Sequence, residues 1–513
     1  MQASNRIIVN TLAQYARTIL NILLSLYSAR LVLEYLGTED YGIYALVAGV
    51  VSMLSFLTNS LISSTQRFLS FNQGRGDLEN MKAVFSNSLL LHILLGCFIA
   101  LVLEALTSFL FTGFLNIPVG RENAAKFIYQ LVVVMVYISF VSAPYRALLT
   151  SRENIIYISV IDVIDGILKV VLVLMLPILG MDNLMAYGCI MILISSFNLL
   201  SFSIYAHIHY EECILPKLSY FSWEYVRKLF SFTGWVTYSA LCITFRTQGL
   251  AIVLNKMLGT TINAAYGIGG QVSGMVSFVS TSLNNAIAPQ LMASEGRGDR
   301  KHMWMLAKVE SKFSFLLLAM VGIPTIFEMD SLLQLWLKNV PFYASLFARM
   351  FLIMQIIDML TIGLALANKA IGNIGLYTII TLTPKLLILP IGWLFLKLDY
   401  PLVSVCLLMI GIETICMFVR IPLIKRHKEF DAWDYIKDVI VKSMPPVFVC
   451  IMVCFLICHY LDFQLRFFIT FIISILLSTL TIYKFALNSL EKTKVKGIMN
   501  SVKKMINKRQ YIH

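Results

Sequence analysis

The stretch Leu36-Gly37-Thr38 begins an apolar segment that ends in Gly74-Arg75-Gly76-Asp77. The same pattern returns 222 residues later, from Leu258-Gly259-Thr260 to Gly296-Arg297-Gly298-Asp299, and the alignment needs no gap. Fifteen of the 42 aligned positions are identical. Chance matches would not hold one register over this length, so the chain contains two similar halves. Duplicated halves in a membrane protein are typical of transporters with a binding site between them.

The composition indicates a membrane protein. Hydrophobic residues make up 58% of the 513-residue chain and charged residues only 13%, whereas soluble domains carry about 25% charged residues. The mean hydropathy of +0.79 fits a chain that crosses the bilayer many times. The nine cysteines lie almost entirely in apolar segments, so we interpret them as small hydrophobic residues.

Motifs for enzymatic chemistry are absent from the sequence. It lacks a Walker A motif, a zinc-protease signature and a Ser/His/Asp signature, so we expect neither an enzyme nor a cofactor. Cys450, Cys454 and Cys458 share one predicted helix face, a spacing that could bind a metal. Because no clear fourth ligand accompanies them, we predict a packing face and no metal site.

Apolar segments recur along the whole chain. A transmembrane helix needs about 20 apolar residues, and on this basis we predict an all-α polytopic membrane protein with fourteen transmembrane helices. Helices 1–6 and helices 7–12 form two lobes related by the repeat, and helices 13 and 14 follow outside it. The predicted helices span residues 7–33, 41–65, 83–109, 124–148, 155–178, 183–208, 228–254, 262–287, 308–332, 343–367, 373–396, 401–421, 444–460 and 467–484.

Two linkers separate these groups of helices. The first contains Pro216, Trp223, Arg227 and Lys228, and we predict that it is amphipathic and lies in the cytoplasmic interface as a helix. The second linker is basic. The predicted domains are an N-lobe at 1–208, the amphipathic linker at 209–228, a C-lobe at 229–421, the basic cytoplasmic linker at 422–443, helices 13 and 14 at 444–484 and a basic cytoplasmic tail at 485–513.

The positions of the 41 Lys and Arg residues predict the orientation in the membrane. With a cytoplasmic N-terminus, 29 of them fall in cytoplasmic loops, adjoining helix ends and the tail, and only six fall on the outer side. This asymmetry satisfies the positive-inside rule and places both termini and both GRGD turns in the cytoplasm. It also explains the net charge of +13 without nucleic acid as a partner.

A polar stripe crosses predicted helix 1. Its residues are spaced so that all lie within about 80° of one helical face, with Arg17 near the middle of the membrane. Burying a charge there is costly, so we expect Arg17 to face a water-filled cavity. The alternative is a stripe packed against neighbouring helices through interhelical hydrogen bonds. The members of the stripe are Asn10, Gln14, Arg17, Asn21, Ser25 and Ser28.

Predicted helix 5 carries charges with a similar spacing. Asp162, Asp165 and Lys169 share one face, and Asp165 and Lys169 can pair at a spacing of four residues. One interpretation is a self-neutralised structural cluster. The other is a polar wall, or a proton or ion relay, that faces the same cavity.

The second half has its own candidates. Arg246 and Gln248 lie in predicted helix 7, and Arg246 aligns two helical turns beyond Arg17. That offset suits an extended anionic ligand, and an Arg that extends to the outer interface is the alternative. Lys385 lies in helix 11 and is predicted to pair with Glu413 in helix 12, either structurally or as part of the site. Weaker candidates inside other helices are His92, Gln355 and Asp358.

The stretch LGTEDYGIYAL at residues 36–46 resembles the polysaccharide biosynthesis proteins. These are the Wzx-type O-antigen and capsule flippases of the multidrug/oligosaccharidyl-lipid/polysaccharide transporter superfamily. The resemblance covers essentially the whole chain and implies a MATE-like, V-shaped fold with alternating access. It also implies movement of undecaprenyl-pyrophosphate-linked oligosaccharides across a bacterial inner membrane. Arg17 and Arg246 match the cationic lumen of the family by position and charge, and Lys169 and Lys385 match it by charge only.

The residues suit that substrate. Arginine can hold a pyrophosphate through several hydrogen bonds, and Asn10, Gln14, Asn21 and Gln248 could bind the sugars. Asp162, Asp165 and Glu413 are then candidates for a relay of a coupling ion, H⁺ or Na⁺. Membrane lipids, and polymerase or glycosyltransferases of the same pathway, are the other expected partners. The alternatives are a multidrug or organic-cation antiporter, a lipid II flippase and, more remotely, a membrane glycosyltransferase or polymerase.

Overall fold

The structure, a computed structural model, describes residues 3–111, 120–337, 339–426, 429–461, 463, 465–489 and 491–493. Every regular element in this part of the chain is a helix, as predicted. Short 3₁₀ segments lie at 176–178, 218–220 and 383–387, and π-helical segments at 436–441 and 482–486. The α-helices are α1 Ala3–Arg75, α2 Leu78–Phe109, α3 Glu122–Ser151, α4 Ile155–Leu174, α5 Asn183–His209, α6 Trp223–Leu258, α7 Thr260–Gly296, α8 Arg300–Phe327, α9 Met329–Trp336, α10 Ala344–Met359, α11 Ile362–Ile371, α12 Gly375–Leu382, α13 Ile388–Lys397, α14 Leu402–Ile424, α15 Ala432–Tyr435, α16 Lys442–Tyr460 and α17 Arg466–Thr481.

The protein is a multi-pass membrane protein. In the described part of the chain, nine helices are long and apolar enough to cross a bilayer, and the pair α10 and α11, bent by 52°, would make ten. The count of fourteen is therefore not confirmed, although all fourteen predicted segments coincide with helix. Helix α4 falls outside the nine, and it carries Asp162, Asp165 and Lys169 within 20 residues. The charged candidate residues of α4 therefore explain why this helix is not counted among the nine.

The sequence repeat is also a repeat of backbone conformation. Gly37 and Gly259 have φ values of 76° and 88°, and Gly76 and Gly298 have φ values of 71° and 75°. At the GRGD turns the amide of each of these later glycines donates to a carbonyl three residues earlier, over 3.1 Å and 3.0 Å. Because residues other than glycine rarely adopt this left-handed region, the repeated glycines fix the same turns in both halves.

The two GRGD segments also contact each other. A Cβ atom on Gly74 would overlap the carbonyl oxygen of Ala293, and one on Gly296 would overlap that of Phe71. The two contacts are equivalent in the repeat, because adding 222 to the number of Gly74 gives Gly296 and adding 222 to that of Phe71 gives Ala293. The two helix ends therefore pack backbone to backbone through a pair of equivalent glycine contacts.

Contacts divide the chain into two compact units. Unit 1 comprises residues 1–244, 282–303 and 366–378, and unit 2 comprises residues 245–281, 304–365 and 379–513. These units interleave along the sequence, since part of α7 belongs to each of them. The predicted lobes at 1–208 and 229–421 remain a prediction.

Each unit has its own hydrophobic core. In unit 1 the helices α1, α3, α4 and α5 pack around aromatic side chains such as Tyr129, Phe140 and Tyr187, all at most 2% exposed. In unit 2 the core between α10 and α14 contains Phe347 and Met409, both fully buried. These two cores fix the positions of the helices that carry the charged residues of each unit.

The first linker, predicted as an interfacial helix, is helical only in its last part, where Trp223, Arg227 and Lys228 belong to α6. Residues 210–222 form a loop with a single 3₁₀ turn, and helix begins only at Trp223. The side chain of Asn87 in α2 fixes this loop, because its Nδ2 donates to the carbonyl of Tyr220 over 2.7 Å and its Oδ1 accepts from the amide of Ser222 over 3.1 Å. Side-chain hydrogen bonds of this kind compete with helix formation.

The helices beyond the repeat are anchored to α8 and its C-terminal end. Lys312 in α8 has a side chain only 1% exposed, and its Nζ lies 2.8 Å from Glu491 and 3.8 Å from Asp438. Glu328, directly after α8, accepts hydrogen bonds from Arg466 over 2.9 Å and from Thr470 over 2.7 Å. The second linker contains α15 and a π-helical segment. The predicted tail from residue 494 onwards lies outside the described residues.

Candidate functional site

Unit 1 contains a charged cluster between α1, α3 and α4. The Asp162 carboxylate lies 2.8 Å from the Arg17 guanidinium and 2.8 Å from that of Arg146. A second contact of 3.2 Å makes the Arg146 pair bidentate. Arg17 therefore meets a carboxylate and a second cation, and its side chain keeps 21% of its surface exposed.

The other charges of α4 have different surroundings. Asp165 accepts a hydrogen bond of 2.6 Å from Asn198 in α5, and among the described ion pairs it has none with Lys169. The two charges attract each other without a direct ion pair, and Asn198 supplies the hydrogen bond to the Asp165 carboxylate. Lys169 is the third cation of this region, at a spacing of one helical turn from Asp165. Three cations and two carboxylates thus surround this part of α4.

The polar stripe of α1 divides into two parts. Asn10 and Gln14 are buried, and they bond to the carbonyl of Glu153 over 3.1 Å and to the amide of Asn285 over 3.4 Å. Asn10 and Gln14 therefore agree with the alternative interpretation, in which the stripe packs against neighbouring parts of the protein through hydrogen bonds. Asn21 lies deeper in the same stripe, and its Oδ1 atom is buried with no hydrogen-bond partner among the described residues.

Unit 2 contains a second charged cluster, formed by α6, α10, α14 and the 3₁₀ segment at 383–387. Glu413 accepts hydrogen bonds from Arg246 over 2.8 Å and from Lys385, so the predicted pairing of Lys385 with Glu413 is confirmed. Asp358 lies 2.7 Å from Arg420 and 4.0 Å from Lys385. Three cations and two carboxylates are again brought together.

Most of this second cluster is shielded from solvent. The side chains of Glu413, Lys385 and Arg420 are 4%, 6% and 5% exposed. Arg246 keeps 13% exposure, and its Nε atom is buried with no partner among the described residues. Gln248 is exposed and does not share the face of Arg246, because residues two apart on a helix point about 200° apart.

Sequence reasoning missed Arg146 and Arg420. Both lie near the ends of predicted helices. The positive-inside rule already explains basic residues there, so neither arginine was selected as a candidate site residue. Their signal was the presence of carboxylates inside neighbouring helices, since each of the two arginines pairs with a half-buried Asp. No group of three His, Cys, Asp or Glu residues suited to a metal occurs in the described part of the chain.

The all-helical architecture is that of the MATE transporters. A MATE protein in a bent conformation is 14% identical with a TM-score of 0.73, covering 83% of this chain and 95% of that one. An outward-facing multidrug resistance MATE transporter of the MOP superfamily is 15% identical with a TM-score of 0.70, covering 83% and 96%. A MOP superfamily transporter from Pyrococcus furiosus has the same coverage at 14% identity and a TM-score of 0.70, and it is described with a binding pocket of reverse polarity that suggests a different function.

The chain belongs to the polysaccharide biosynthesis protein family, whose model matches residues 4–294. The resemblance expected from residues 36–46 is therefore confirmed. The uncharacterized membrane protein EpsK of Bacillus subtilis (strain 168) is 22% identical over 321 residues. That match spans 61% of this chain and 61% of the relative's own length.

Proposed function

We propose that the protein is a flippase for lipid-linked oligosaccharides. It moves undecaprenyl-pyrophosphate-linked repeat units across the bacterial inner membrane by alternating access, for the synthesis of O-antigen, capsule or exopolysaccharide. Both termini lie in the cytoplasm in this proposal. The observation that carries it is the pair of charged clusters, one in each unit, in which cations outnumber carboxylates.

The chemistry of the clusters suits a diphosphate. A guanidinium offers five donors in a planar fork that matches phosphate oxygens, and Arg17 and Arg246 each use only part of that capacity on a carboxylate. The Nε of Arg246 and the Oδ1 of Asn21 have no hydrogen-bond partner in the described part of the chain, so a phosphate oxygen could accept from the first and a sugar hydroxyl could donate to the second. Lys385 and Lys169 add positive charge nearby.

Burial strengthens the attraction for an anion. The clusters lie inside helices whose other side chains are largely apolar, and Coulomb interactions are stronger there than in water. A lipid-borne diphosphate can bring its headgroup to such cations while its tail remains in the bilayer. Asn10 and Gln14 are engaged with protein groups, so their contact with sugars requires another conformation of α1.

The test removes Arg17 in a strain that depends on this protein for its surface polysaccharide. Arg17→Ala should abolish translocation, so that the lipid-linked oligosaccharide accumulates, while the amount of folded protein is unchanged. Arg17→Lys should keep part of the activity because it retains the charge without the planar fork. Translocation at the wild-type rate in Arg17→Ala would contradict the role of this residue.

Arg349→Ala is the matched control. Arg349 also sits in a helix and pairs with a carboxylate, Asp330, over 2.7 Å, but these side chains are 35% and 61% exposed and lie outside both clusters. Its loss should leave translocation unchanged. A general effect of removing an arginine would reduce activity in both variants.

One observation favours a second function, the organic-cation antiporter. Asp165 is hydrogen-bonded to a neutral amide rather than to a cation, so it could serve as the relay for H⁺ or Na⁺ or bind a cationic substrate. Asp162 and Glu413 are less suited to that task because each is bonded to two cations. Altered drug sensitivity without accumulated lipid-linked oligosaccharide would favour the antiporter.

The remaining alternatives share the anionic lipid. A lipid II flippase would use the same cations. Purified protein in vesicles, supplied with either lipid II or the lipid-linked repeat unit, shows which of the two substrates is translocated. A membrane glycosyltransferase or polymerase is the remote alternative, and we propose that such enzymes are partners of the same pathway.

A further inference from the structure

A cavity of about 700 Å³ lies within unit 1, and none of its lining residues belongs to either charged cluster. It is formed by the end of α1, the beginning of α6 and the connection between α11 and α12. The GRGD turn that ends α1 begins seven residues beyond the first lining residue, Arg67. The lining residues are Arg67, Phe68, Glu224, Arg227, Lys228, Ser231, Phe232, Trp235 and 371–375.

Arg67 forms the inner wall of the cavity. It is only 8% exposed, and its Nε and Nη2 atoms donate to the carbonyl of Ala370 over 3.2 Å and 3.0 Å. Nη2 also donates to the carbonyl of Ile371 over 3.1 Å, and the guanidinium lies 4.6 Å from the ring centre of Phe68. Gly372 has a φ of 94°, and a Cβ there would overlap the guanidinium. Glycine at position 372 therefore leaves the space that the Arg67 guanidinium occupies beside the cavity.

The opposite wall adds exposed cations. Arg227 and Lys228 lie in the first turns of α6, and both are exposed. Glu224 is the one carboxylate among the lining residues, and it pairs with Lys228 across one helical turn. The N-terminal turn of α12 at Gly375 also lines the cavity, and helix N-termini favour negative charge. The cavity is therefore suited to an anion.

Exposed aromatic side chains lie close in sequence to the lining residues of α6. Trp223, Phe221 and Phe230 are 70%, 47% and 61% exposed, and Trp235 lines the cavity itself. Exposed tryptophan next to basic residues is typical of the headgroup layer of a membrane. Basic pockets at the ends of transmembrane helices bind the phosphate groups of lipids.

We propose that this cavity binds the phosphate-bearing headgroup of an anionic membrane lipid. Arg67, Arg227 and Lys228 hold the phosphate oxygens, and Trp235 and Phe232 contact the apolar part next to the headgroup. The lipid that carries this phosphate is either the bulk anionic lipid of the leaflet or a polyprenyl diphosphate. The site does not depend on the flippase proposal, because it requires binding and no transport.

The test measures binding to the full-length chain in a neutral detergent by native mass spectrometry. The probes are phosphatidylglycerol, farnesyl diphosphate and inorganic diphosphate. Arg227→Gln and Lys228→Gln should each weaken lipid binding about fivefold, the effect of one basic residue at a membrane surface. Glu224→Gln should tighten binding because it removes the carboxylate that repels the probe. These three side chains are exposed, so the variants should fold.

Arg75→Gln is the matched control. Arg75 is an exposed arginine in the last turn of α1 and does not line the cavity. Loss of binding in the two cavity variants but not in Arg75→Gln supports the site, and the tighter of the two lipid probes identifies the source. Equal losses in Arg75→Gln, unchanged binding in the cavity variants, or inorganic diphosphate binding as tightly as both lipids would overturn it.

Discussion

Replacing Gly74 or Gly296 with alanine tests the paired contact between the two GRGD segments. A Cβ on Gly74 would lie 2.7 Å from the carbonyl carbon of Ala293, and a Cβ on Gly296 would lie 2.8 Å from that of Phe71. Ordinary contacts begin at 3.4 Å. The carbonyl oxygens lie closer still, so the helix ends must separate by more than about 1 Å in either variant, because the neighbouring atoms belong to the backbone and cannot rotate away.

The magnitude follows from two opposing effects. Overpacking a closely packed contact costs about 1–3 kcal/mol. Alanine in a helix is favoured over glycine by about 1 kcal/mol, which offsets part of that cost. Because the clashing atoms belong to the backbone, we take the upper end of that cost and expect each single variant to be destabilised by about 2 kcal/mol after this offset. The double variant should lose less than the sum of the two, because one separation of the helix ends relieves both contacts.

Thermal unfolding in detergent measures these changes. Gly234→Ala is the control, since Gly234 lies in α6 of the same unit and a Cβ there would meet nothing within 4 Å. That variant should be as stable as the wild type or slightly more stable. Wild-type stability in Gly74→Ala and Gly296→Ala, or strictly additive losses in the double variant, would refute the packing argument.

Three further predictions concern charged residues. Glu413→Gln should reduce the unfolding free energy by about 3–5 kcal/mol, because it leaves buried cations without their carboxylate; an unchanged denaturation midpoint would contradict this. Burial raises the pKa of Asp182, but hydrogen bonds from Arg121 and from main-chain amides outweigh it, so the net pKa lies below the ordinary 3.8. The stability that Asp182 contributes should be present above that ordinary value and lost as the pH falls through the lower pKa, so the wild type and Asp182→Asn should differ at pH 6 and converge in acid. Glu491→Gln should destabilise the protein by about 1–3 kcal/mol because it leaves the buried Lys312 with a more distant carboxylate, and equal unfolding temperatures would argue against that anchor.

Local patterns in the sequence were sufficient for much of the fold. The two GRGD segments were predicted as turns, and Gly76 and Gly298 in them adopt the same left-handed conformation. Helix positions followed from apolar runs because a membrane requires them. Lys385 and Glu413 were paired correctly because a buried charge needs a partner of opposite sign.

Partners on distant helices could not be predicted in the same way. Spacing suggested that Asp165 pairs with Lys169 on its own helix, but Asn198 on α5 supplies the hydrogen bond. Arg146 and Arg420 were assigned to helix ends, and only the packing of helices brings them to carboxylates. The first linker was predicted as one helix, yet Asn87 holds its part before Trp223 as a loop through long-range hydrogen bonds. These features depend on which helices are neighbours.

The sharing of one carboxylate by two cations has a consequence for how an anion could enter. Asp162 is held by both Arg17 and Arg146, and Glu413 by both Arg246 and Lys385. If an incoming phosphate draws one cation away, the other still neutralises the carboxylate. Occupancy of the site then never leaves a lone negative charge stranded in the bilayer, and release restores the original pairing.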